Sequence, residues 1–413
     1  MSKFKKAVSC AAAGLMLLFS VSAQAGEVDV LLDILVKKGV LTASEASIVR
    51  DETKQAVAAE LAAQKSYAVP SWAQKTKIKG DFRLRYQRQS KKSTNDRHRG
   101  RYRFRLGIES QIAKKFMVGA GLATGGTDPR STNQTFTNSF ETPDIRMDYA
   151  YMKYSPLSYL QVYAGKMPRK PVLWAPSDLL WDGDINPEGG SLVFNYNLTD
   201  DIGFFFNGGV WVLDESSSDS SDPYLKYLQP GFTFGFANGI SLKTALTYYR
   251  FDSIEGSLLD HSAGTNTLDV NGNLASSFTS LNPAAELAVK EPFDGLVPYA
   301  SIFGEFVTNL DDDHVRETEG WLAGFKVGAK SVKKPGEWQF KYMFRNLEMD
   351  AFPDVFPDSD SYGGETNVRG HEWVVEYGLA NNVVLGFDYY RMNQILGGDD
   401  PEHLFQTDVV IKF

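Results

Sequence analysis

Residues 100–112 read GRYRFRLGIESQI, and residues 80–87 read GDFRLRYQ. In both stretches an apolar side chain recurs at every second position, and arginines fill many of the positions between. Successive side chains of a β-strand point to opposite faces of its sheet, so this alternation is typical of a strand with one apolar and one charged face. The two stretches therefore predict two β-strands whose arginines share one face. These are Arg83, Arg85, Arg101, Arg103 and Arg105.

The same two-residue period recurs along the rest of the chain. It predicts antiparallel strands joined alternately by long polar connections, such as 88–99, 168–188 and 349–370, and by short turns. Sixteen strands are predicted, with spans 76–87, 100–112, 116–124, 145–154, 159–167, 189–197, 202–213, 224–236, 240–252, 284–292, 296–309, 320–332, 337–348, 371–379, 383–396 and 404–413.

A soluble β-sandwich would show the same alternation, and three features favour a membrane barrel instead. Aromatic residues concentrate near strand ends on the apolar faces, charges such as Lys341 lie in mid-strand on the polar faces, and long connections alternate with short turns. All three are typical of outer-membrane barrels. Hydrocarbon leaves no partner for an open sheet edge, so the sheet must close. The predicted fold class is an all-β transmembrane barrel of about 16 strands, wide enough for an aqueous channel.

The composition and the N-terminal segment exclude some classes of protein and of binding site. The chain has 413 residues, 13% of them aromatic, and a formal net charge of −8, so it lacks the basic surface of a nucleic-acid binder. Residues 1–25 combine three lysines, a short apolar run and Ala23-Gln24-Ala25, which is the pattern of a cleaved signal peptide. The single cysteine, Cys10, lies in that segment, so the exported protein is expected to hold no disulfide or thiolate metal site.

Residues 27–66 have helical character. Leu31–Leu35 fall in a first helix, Lys38-Gly39 ends it, and Thr42-Ala-Ser-Glu45 is a capping box that opens a second helix. The segment is either a hairpin packed on itself or a coiled coil that joins subunits. The predicted domains are a signal peptide at 1–25, a periplasmic helical segment and linker at 26–74, and an outer-membrane barrel at 75–413.

Six stretches carry a family resemblance. They are LLDILVKKGVLTASEA at 31–46, GDFRLRY at 80–86, RYRFRLGIE at 101–109, GLATGG at 121–126, STNQTF at 131–136 and WDGDINPEGG at 181–190. Together they resemble the family of Gram-negative outer-membrane proteins called putative porins, and the first is also similar to the start of phosphate-selective porins. The resemblance implies an outer-membrane channel and names no solute.

The five arginines are predicted to line this channel. With the apolar faces toward lipid, their guanidinium groups point into the lumen, whereas the reverse orientation would place each charge in hydrocarbon at about 2–4 kcal/mol. Fixed guanidinium groups attract anions and oxygen-rich solutes. The alternative is that they pair with lumenal acids and only stiffen the barrel. Candidate partners are Glu109, Asp148, Glu305, Glu376 and Asp388.

The connection 168–188, between the fifth and sixth strands, carries Asp178, Asp182, Asp184 and Glu188. In sixteen-stranded porins the loop at this position folds inward, so the resemblance implies that these carboxylates narrow the channel opposite the arginines. The alternative is an external loop with solvated acids. The acidic pair Asp358-Ser-Asp360 lies in another predicted external loop and is expected to be solvated.

The predicted function is passive diffusion of small hydrophilic solutes and ions through a homotrimeric porin. Outer-membrane lipid and lipopolysaccharide are expected partners, and Phe413 resembles the terminal signal that the barrel-insertion machinery reads. The scattered histidines have no zinc-site spacing and no nucleophile–base pair is evident, so no metal, cofactor or enzymatic activity is expected. The alternative function is a structural protein whose barrel anchors the periplasmic helical segment. Ion preference stays open.

Overall fold

The computed structural model describes residues 30–64, 71–215, 217, 222–292, 294, 296–311 and 317–413. The predicted signal peptide at 1–25 lies outside these residues. The chain divides into two compact units, Met1–Gln74 and Lys75–Phe413. Among the helices described, none is both long and apolar enough to span a membrane.

The described part of the first unit is mainly helical. Helix α1 spans residues 30–37, α2 spans Ala43–Gln64, and the single turn α3 spans Ser71–Gln74. The predicted capping box is confirmed, because the Glu45 backbone N–H donates to Thr42 Oγ1 at 3.2 Å and the Thr42 backbone N–H donates to Glu45 Oε2 at 2.8 Å. These bonds favour the ionised carboxylate and lower the pKa of Glu45.

Helices α1 and α2 contact each other. Arg50 Nη2 lies 3.2 Å from Asp33 Oδ1, and Leu32 and Ala46 are buried. Other apolar side chains of the pair remain exposed, among them Leu31 and Ile48. The contacts support the predicted hairpin, and the exposed apolar residues leave the coiled-coil hypothesis open.

The described part of the second unit is one closed antiparallel sheet of sixteen long strands, which confirms the predicted fold class. A further two-residue segment, Gln134–Thr135, pairs with the second strand and is not numbered. The strands are β1 Thr76–Lys91, β2 Thr94–Ala113, β3 Phe116–Ala123, β4 Arg146–Leu157, β5 Leu160–Lys166, β6 Glu188–Asn197, β7 Ile202–Val212, β8 Tyr224–Gly235, β9 Ile240–Asp252, β10 Phe278–Lys290, β11 Tyr299–Asn309, β12 Glu319–Gly328, β13 Trp338–Leu347, β14 Val368–Ala380, β15 Val383–Gln394 and β16 Glu402–Lys412.

The ring closes between its first and last strands. Leu84 of β1 lies opposite Tyr102 of β2 on one side and Val409 of β16 on the other. Beyond β16, the Gly80 backbone N–H donates to the Phe413 carbonyl at 2.9 Å and the Phe413 N–H donates back to Gly80 at 3.0 Å. Pairing β1 with β16 removes the open edge that a membrane-spanning sheet cannot keep.

The predicted long connection at 88–99 is wrong. Strand β1 continues to Lys91 and β2 begins at Thr94, which leaves a two-residue turn. Polar residues continue the ladder there, because Arg88 Nη2 lies 2.7 Å from Asp96 Oδ2 and Ser90 Oγ donates to Asp96 Oδ1 at 2.6 Å. The end of the apolar pattern marked the edge of the membrane-facing band, and the strands extend beyond it.

The two faces of the strands differ in what covers them. Apolar residues such as Leu84, Ile108 and Phe325 are exposed on one face, as expected for contact with lipid. The opposite face is covered by the long connections. A buried apolar cluster joins strand residues such as Tyr249 to Trp181 and Phe352 of these connections.

A candidate solute-binding site of arginines and carboxylates

Two columns of arginine side chains stand side by side on β1 and β2. The antiparallel register places Arg83 opposite Arg103 and Arg85 opposite Arg101, while Arg105 lies opposite Asp81. All of these residues alternate with apolar residues that are exposed, such as Leu84, or half-buried, such as Phe104, so they share the covered face of the sheet. The five arginines predicted from the sequence therefore form one group. The carboxylates described next divide it by pairing into three sets, called levels, which overlap along the strands because Arg83 lies opposite Arg103 and Arg85 lies opposite Arg101.

The level nearest the start of β1 is neutralised. Asp81 accepts from Arg103 Nη2 and from Arg105 Nε, both at 2.7 Å. Asp184, from the connection 167–187, lies 3.1 Å from Arg105 Nη1 and 3.6 Å from Arg103 Nη1. Burial raises the pKa of Asp184, but the charges of Arg103 and Arg105 outweigh it and hold the pKa at about 2. Asp184 is therefore ionised and fixes its connection to β2.

The middle level is also paired. Arg85 Nη2 lies 2.7 Å from Asp408 Oδ2, and Arg85 Nη1 lies 3.0 Å from Asp360 Oδ2 of the connection 348–367. Arg83 is more weakly paired, at 3.7 Å from Asp408, and donates to Asn133 Oδ1 at 2.5 Å.

The level nearest the β1–β2 turn keeps free positive charge. Arg101 donates only to neutral oxygens, at 3.2 Å to Gln87 and 3.3 Å to Ser131, and Arg99 donates to Gln89 at 3.4 Å. Within the described part of the chain, neither guanidinium forms an ion pair, and the Nε of each is buried without a hydrogen-bond partner. This level can offer unused donors to an anionic or oxygen-rich solute.

A second charged group surrounds Arg345 of β13, which is 2% exposed. Its guanidinium lies 2.9 Å from Asp178, 3.2 Å from Asp358 and 2.5 Å from Glu372. Lys341 lies 3.4 Å from the other oxygen of Glu372. The three carboxylates are close enough to share a metal ion, but each of them already contacts the Arg345 guanidinium.

The four carboxylates that were predicted to narrow the channel therefore lie in different parts of the structure. Asp184 joins the arginines, Asp178 joins Arg345, and Asp182 accepts from the backbone N–H groups of Asp184 and Ser359, both at 2.8 Å. Glu188 is exposed and pairs at 2.7 Å with Lys166, which lines a cavity together with Asp184.

The expectation that Asp358 and Asp360 are solvated is wrong. Both contact arginines of the barrel, because the connection 348–367 packs against the covered face of the sheet. Sequence reasoning also missed Asp81 and Asp408, although each lies in strand alternation with the arginine-bearing positions. In the described part of the chain, none of the five candidate partners proposed from the sequence forms an ion pair with the five arginines. These candidates are Glu109, Asp148, Glu305, Glu376 and Asp388.

Two cavities meet beside the neutralised level. One has a volume of about 320 Å³ and is lined in part by Thr132 and Arg146; the other has about 380 Å³ and is lined in part by Arg105 and Lys170. Both are lined by Asp148, Asp184 and Asn186. A hydrated solute at this point would meet cations and carboxylates held at fixed positions.

The Asp182 carboxyl is expected to make the stability of this site depend on pH. Burial, and then the nearby charge of Asp184, raise the pKa of Asp182 to about 7. The stability linked to its protonated form is complete below about pH 4, the ordinary pKa, and is lost as pH rises through about 7. Thermal unfolding of the barrel at pH 5 and pH 8 should therefore differ less in Asp182→Asn than in the wild type. The same difference in both proteins would contradict this assignment.

A closed sixteen-stranded barrel with an apolar exterior, and with charged residues on its other face, defines an outer-membrane channel protein. The chain belongs to the family described as "Putative porin", whose model matches residues 89–279 and 269–413. This confirms the family resemblance.

Solved structures resemble the chain in fold. OprB of Pseudomonas putida, in a high-pH structure, is 14% identical; the alignment covers 83% of this chain and 95% of OprB, with a TM-score of 0.56. OmpF of Salmonella typhi, in a complex with daunomycin, is 11% identical over 82% of this chain and 97% of OmpF, with a TM-score of 0.48. No curated protein sequence matches the chain. At these identities the structural likeness concerns the fold alone.

Proposed function

We propose that the protein is a narrow passive channel for small hydrophilic solutes and ions, in which the arginines of β1 and β2 line the passage and the connection 167–187 forms its constriction. The observation that carries this proposal is the set of contacts that the connection makes. At one end Asp184 binds Arg103 and Arg105 of β2, and elsewhere Asp178 binds Arg345 of β13.

Further contacts of the connection reach other strands. The Trp174 backbone N–H donates to Gln229 of β8 at 2.9 Å, Trp181 Nε1 donates to Tyr249 of β9 at 3.2 Å, and Ser177 Oγ donates to Glu305 of β11. Strands β2, β8, β9, β11 and β13 are spread around the ring, and a single segment can reach all of them only by crossing the space that they enclose. This supports an inward constriction.

The space that the connection leaves open inside the barrel would be polar on one side. Trp181, Phe352 and Phe356 pack together with Tyr249 and Phe251, so apolar groups of two connections occupy the region beside β9. Water is then confined to the region beside the arginines and their carboxylates. A passage of this kind excludes bulky and apolar solutes, and the unpaired Arg99 and Arg101 favour anionic or oxygen-rich groups near its entrance.

Planar-bilayer recording tests the proposal. The purified protein should insert and give discrete conductance steps, and replacing residues 174–183 by a glycine–serine linker of equal length should enlarge each step because the constriction is removed. Protein that inserts in its folded form and never conducts would refute the channel. Equal steps from the two proteins would refute the constriction.

We further propose a homotrimer, with residues 26–74 in the periplasm and Phe413 read by the insertion machinery. The exposed apolar residues of α1 and α2 also fit the alternative function, in which the helical segment is a periplasmic tether. Deletion of residues 27–66 separates the two functions. We expect conductance to persist, and loss of envelope attachment alone would favour the tether.

A further inference from the structure

We propose that the exposed face of β13–β15, at the end carrying the long connections, binds a phosphorylated glycolipid of the outer leaflet through Arg369 and Arg391. This proposal uses the barrel and its orientation in the membrane and is independent of conduction. The residues concerned lie on the face opposite to the candidate solute-binding site.

The exposed face of these three strands changes character row by row. The register aligns residues laterally, one from each strand, and successive rows are two residues apart, roughly 7 Å. Moving toward the long connections, the rows are Phe340–Val375–Phe387, then Tyr342–Trp373–Tyr389, then Phe344–His371–Arg391, and finally Asn346–Arg369–Asn393. The sequence runs from apolar, through aromatic, to cationic and polar.

The aromatic row marks the edge of the hydrocarbon. Tyr342 and Tyr389 point their hydroxyls toward histidines of the next row, with Tyr342 Oη 2.8 Å from His371 Nδ1 and Tyr389 Oη 2.7 Å from His403 Nδ1. The Trp373 ring stacks between His371 and Tyr389. Aromatic rings with polar tips settle at the membrane–water interface. The cations one and two rows farther out are therefore at the depth of lipid headgroups.

Arg369 and Arg391 differ from the other cations on this outward face. Arg250 and Lys226 both pair with Asp252, at 2.9 and 3.2 Å, and Arg88 pairs with Asp96 at 2.7 Å. Within the described residues, Arg369 and Arg391 are exposed and form no ion pair. Two unpaired guanidinium groups at headgroup depth attract a polyanionic partner.

The two arginines also share a cavity of about 320 Å³. Phe344 and His371 form part of its lining, and Asn393 and Asp399 contribute polar groups. Asp399 is already paired with Lys92 at 2.9 Å, which reduces its repulsion of an anion. Because the cavity lies directly above apolar rows, it suits a phosphate that is attached to acyl chains. Free phosphate would gain nothing from those rows, so we assign the site to a lipid.

Binding of a defined lipid to the full-length folded protein in detergent tests this assignment. The probe is bisphosphorylated lipid A, with its fully dephosphorylated form and inorganic phosphate as comparisons, and retention is read by native mass spectrometry. We expect R369Q/R391Q to weaken lipid A binding by about tenfold or more, because charge-assisted hydrogen bonds to the phosphates are lost. The matched control K226Q/R250Q removes two paired cations from the same outward face and should bind like the wild type.

Three outcomes would overturn the proposal. They are wild-type affinity in R369Q/R391Q, equal retention of the dephosphorylated lipid, and competition by inorganic phosphate at the lipid's own concentration. Folding of each variant is verified by heat-dependent mobility on gels. Single-channel recording of R369Q/R391Q should give wild-type steps, so failure of lipid binding and failure of the channel proposal are distinguishable.

Discussion

Replacing Arg345 with leucine is expected to destabilise the folded barrel by about 3–5 kcal/mol at pH 8, because it leaves buried carboxylates without their cation. Asp178, Asp358 and Glu372 converge on this guanidinium at 2.9, 3.2 and 2.5 Å. Among the described residues, only Lys341, 3.4 Å from Glu372, remains as a cation in contact with the group. The leucine would fill much of the space but could not compensate the charges.

The penalty should be smaller at pH 5. Burial raises the pKa of Asp358 well above its usual value, so protonation removes one of the unpaired charges in mildly acidic solution. The measurement is the temperature at which the folded band on a semi-native gel converts to the unfolded band, at pH 5 and pH 8. Arg250→Leu is the control, because exposed Arg250 pairs with Asp252 and contributes little to stability. The prediction fails if both variants unfold at the same temperature at pH 8.

The double variant Arg103→Ala and Arg105→Ala is expected to shift the channel toward cations. These residues neutralise Asp81 and Asp184, so their removal leaves two negative charges in place of a neutral group. One unit charge at about 4 Å in water changes an ion's energy by about 1 kcal/mol, which is about fivefold in local concentration. We therefore expect the cation-to-anion permeability ratio to rise about fivefold or more. Conductance should also rise, because Asp184 no longer holds the proposed constriction against β2.

Reversal potentials under a salt gradient measure this ratio directly. The lysine double variant, R103K/R105K, keeps both charges and should retain wild-type selectivity within about twofold, on the same electrostatic argument. An open channel with an unchanged reversal potential in the alanine variant would show that the arginines only stabilise the barrel. That was the alternative left open by the sequence.

The strands and the shared face of the arginines could be predicted because both depend on local alternation. Phe82, Leu84 and Tyr86 fix the exposed face of β1, and Arg83 and Arg85 must then lie on the other. The same reasoning, applied to Asp81, would have found the carboxylate that pairs with Arg103 and Arg105.

The path of the long connections could not be predicted in the same way. The connection 348–367 is rich in polar residues and was expected to be external, yet Phe352, Val355 and Phe356 belong to the buried or nearly buried cluster. These apolar residues were a signal that the connection packs against the protein. Their partners, such as Tyr249, lie about a hundred positions earlier in the chain.

The sequence by itself determined the barrel, the number of its strands and the face on which each strand charge lies, because side-chain alternation is local to each strand and a sheet in hydrocarbon must close. Only the tertiary structure decided which charges are paired. Arg85 meets Asp408 and Asp360, and Arg345 meets Asp178, at separations of 323, 275 and 167 residues. Such contacts depend on ring closure and on the route of each connection, which pairs Asp360 with Arg85 and, among the described residues, leaves Arg99 and Arg101 without an ion pair.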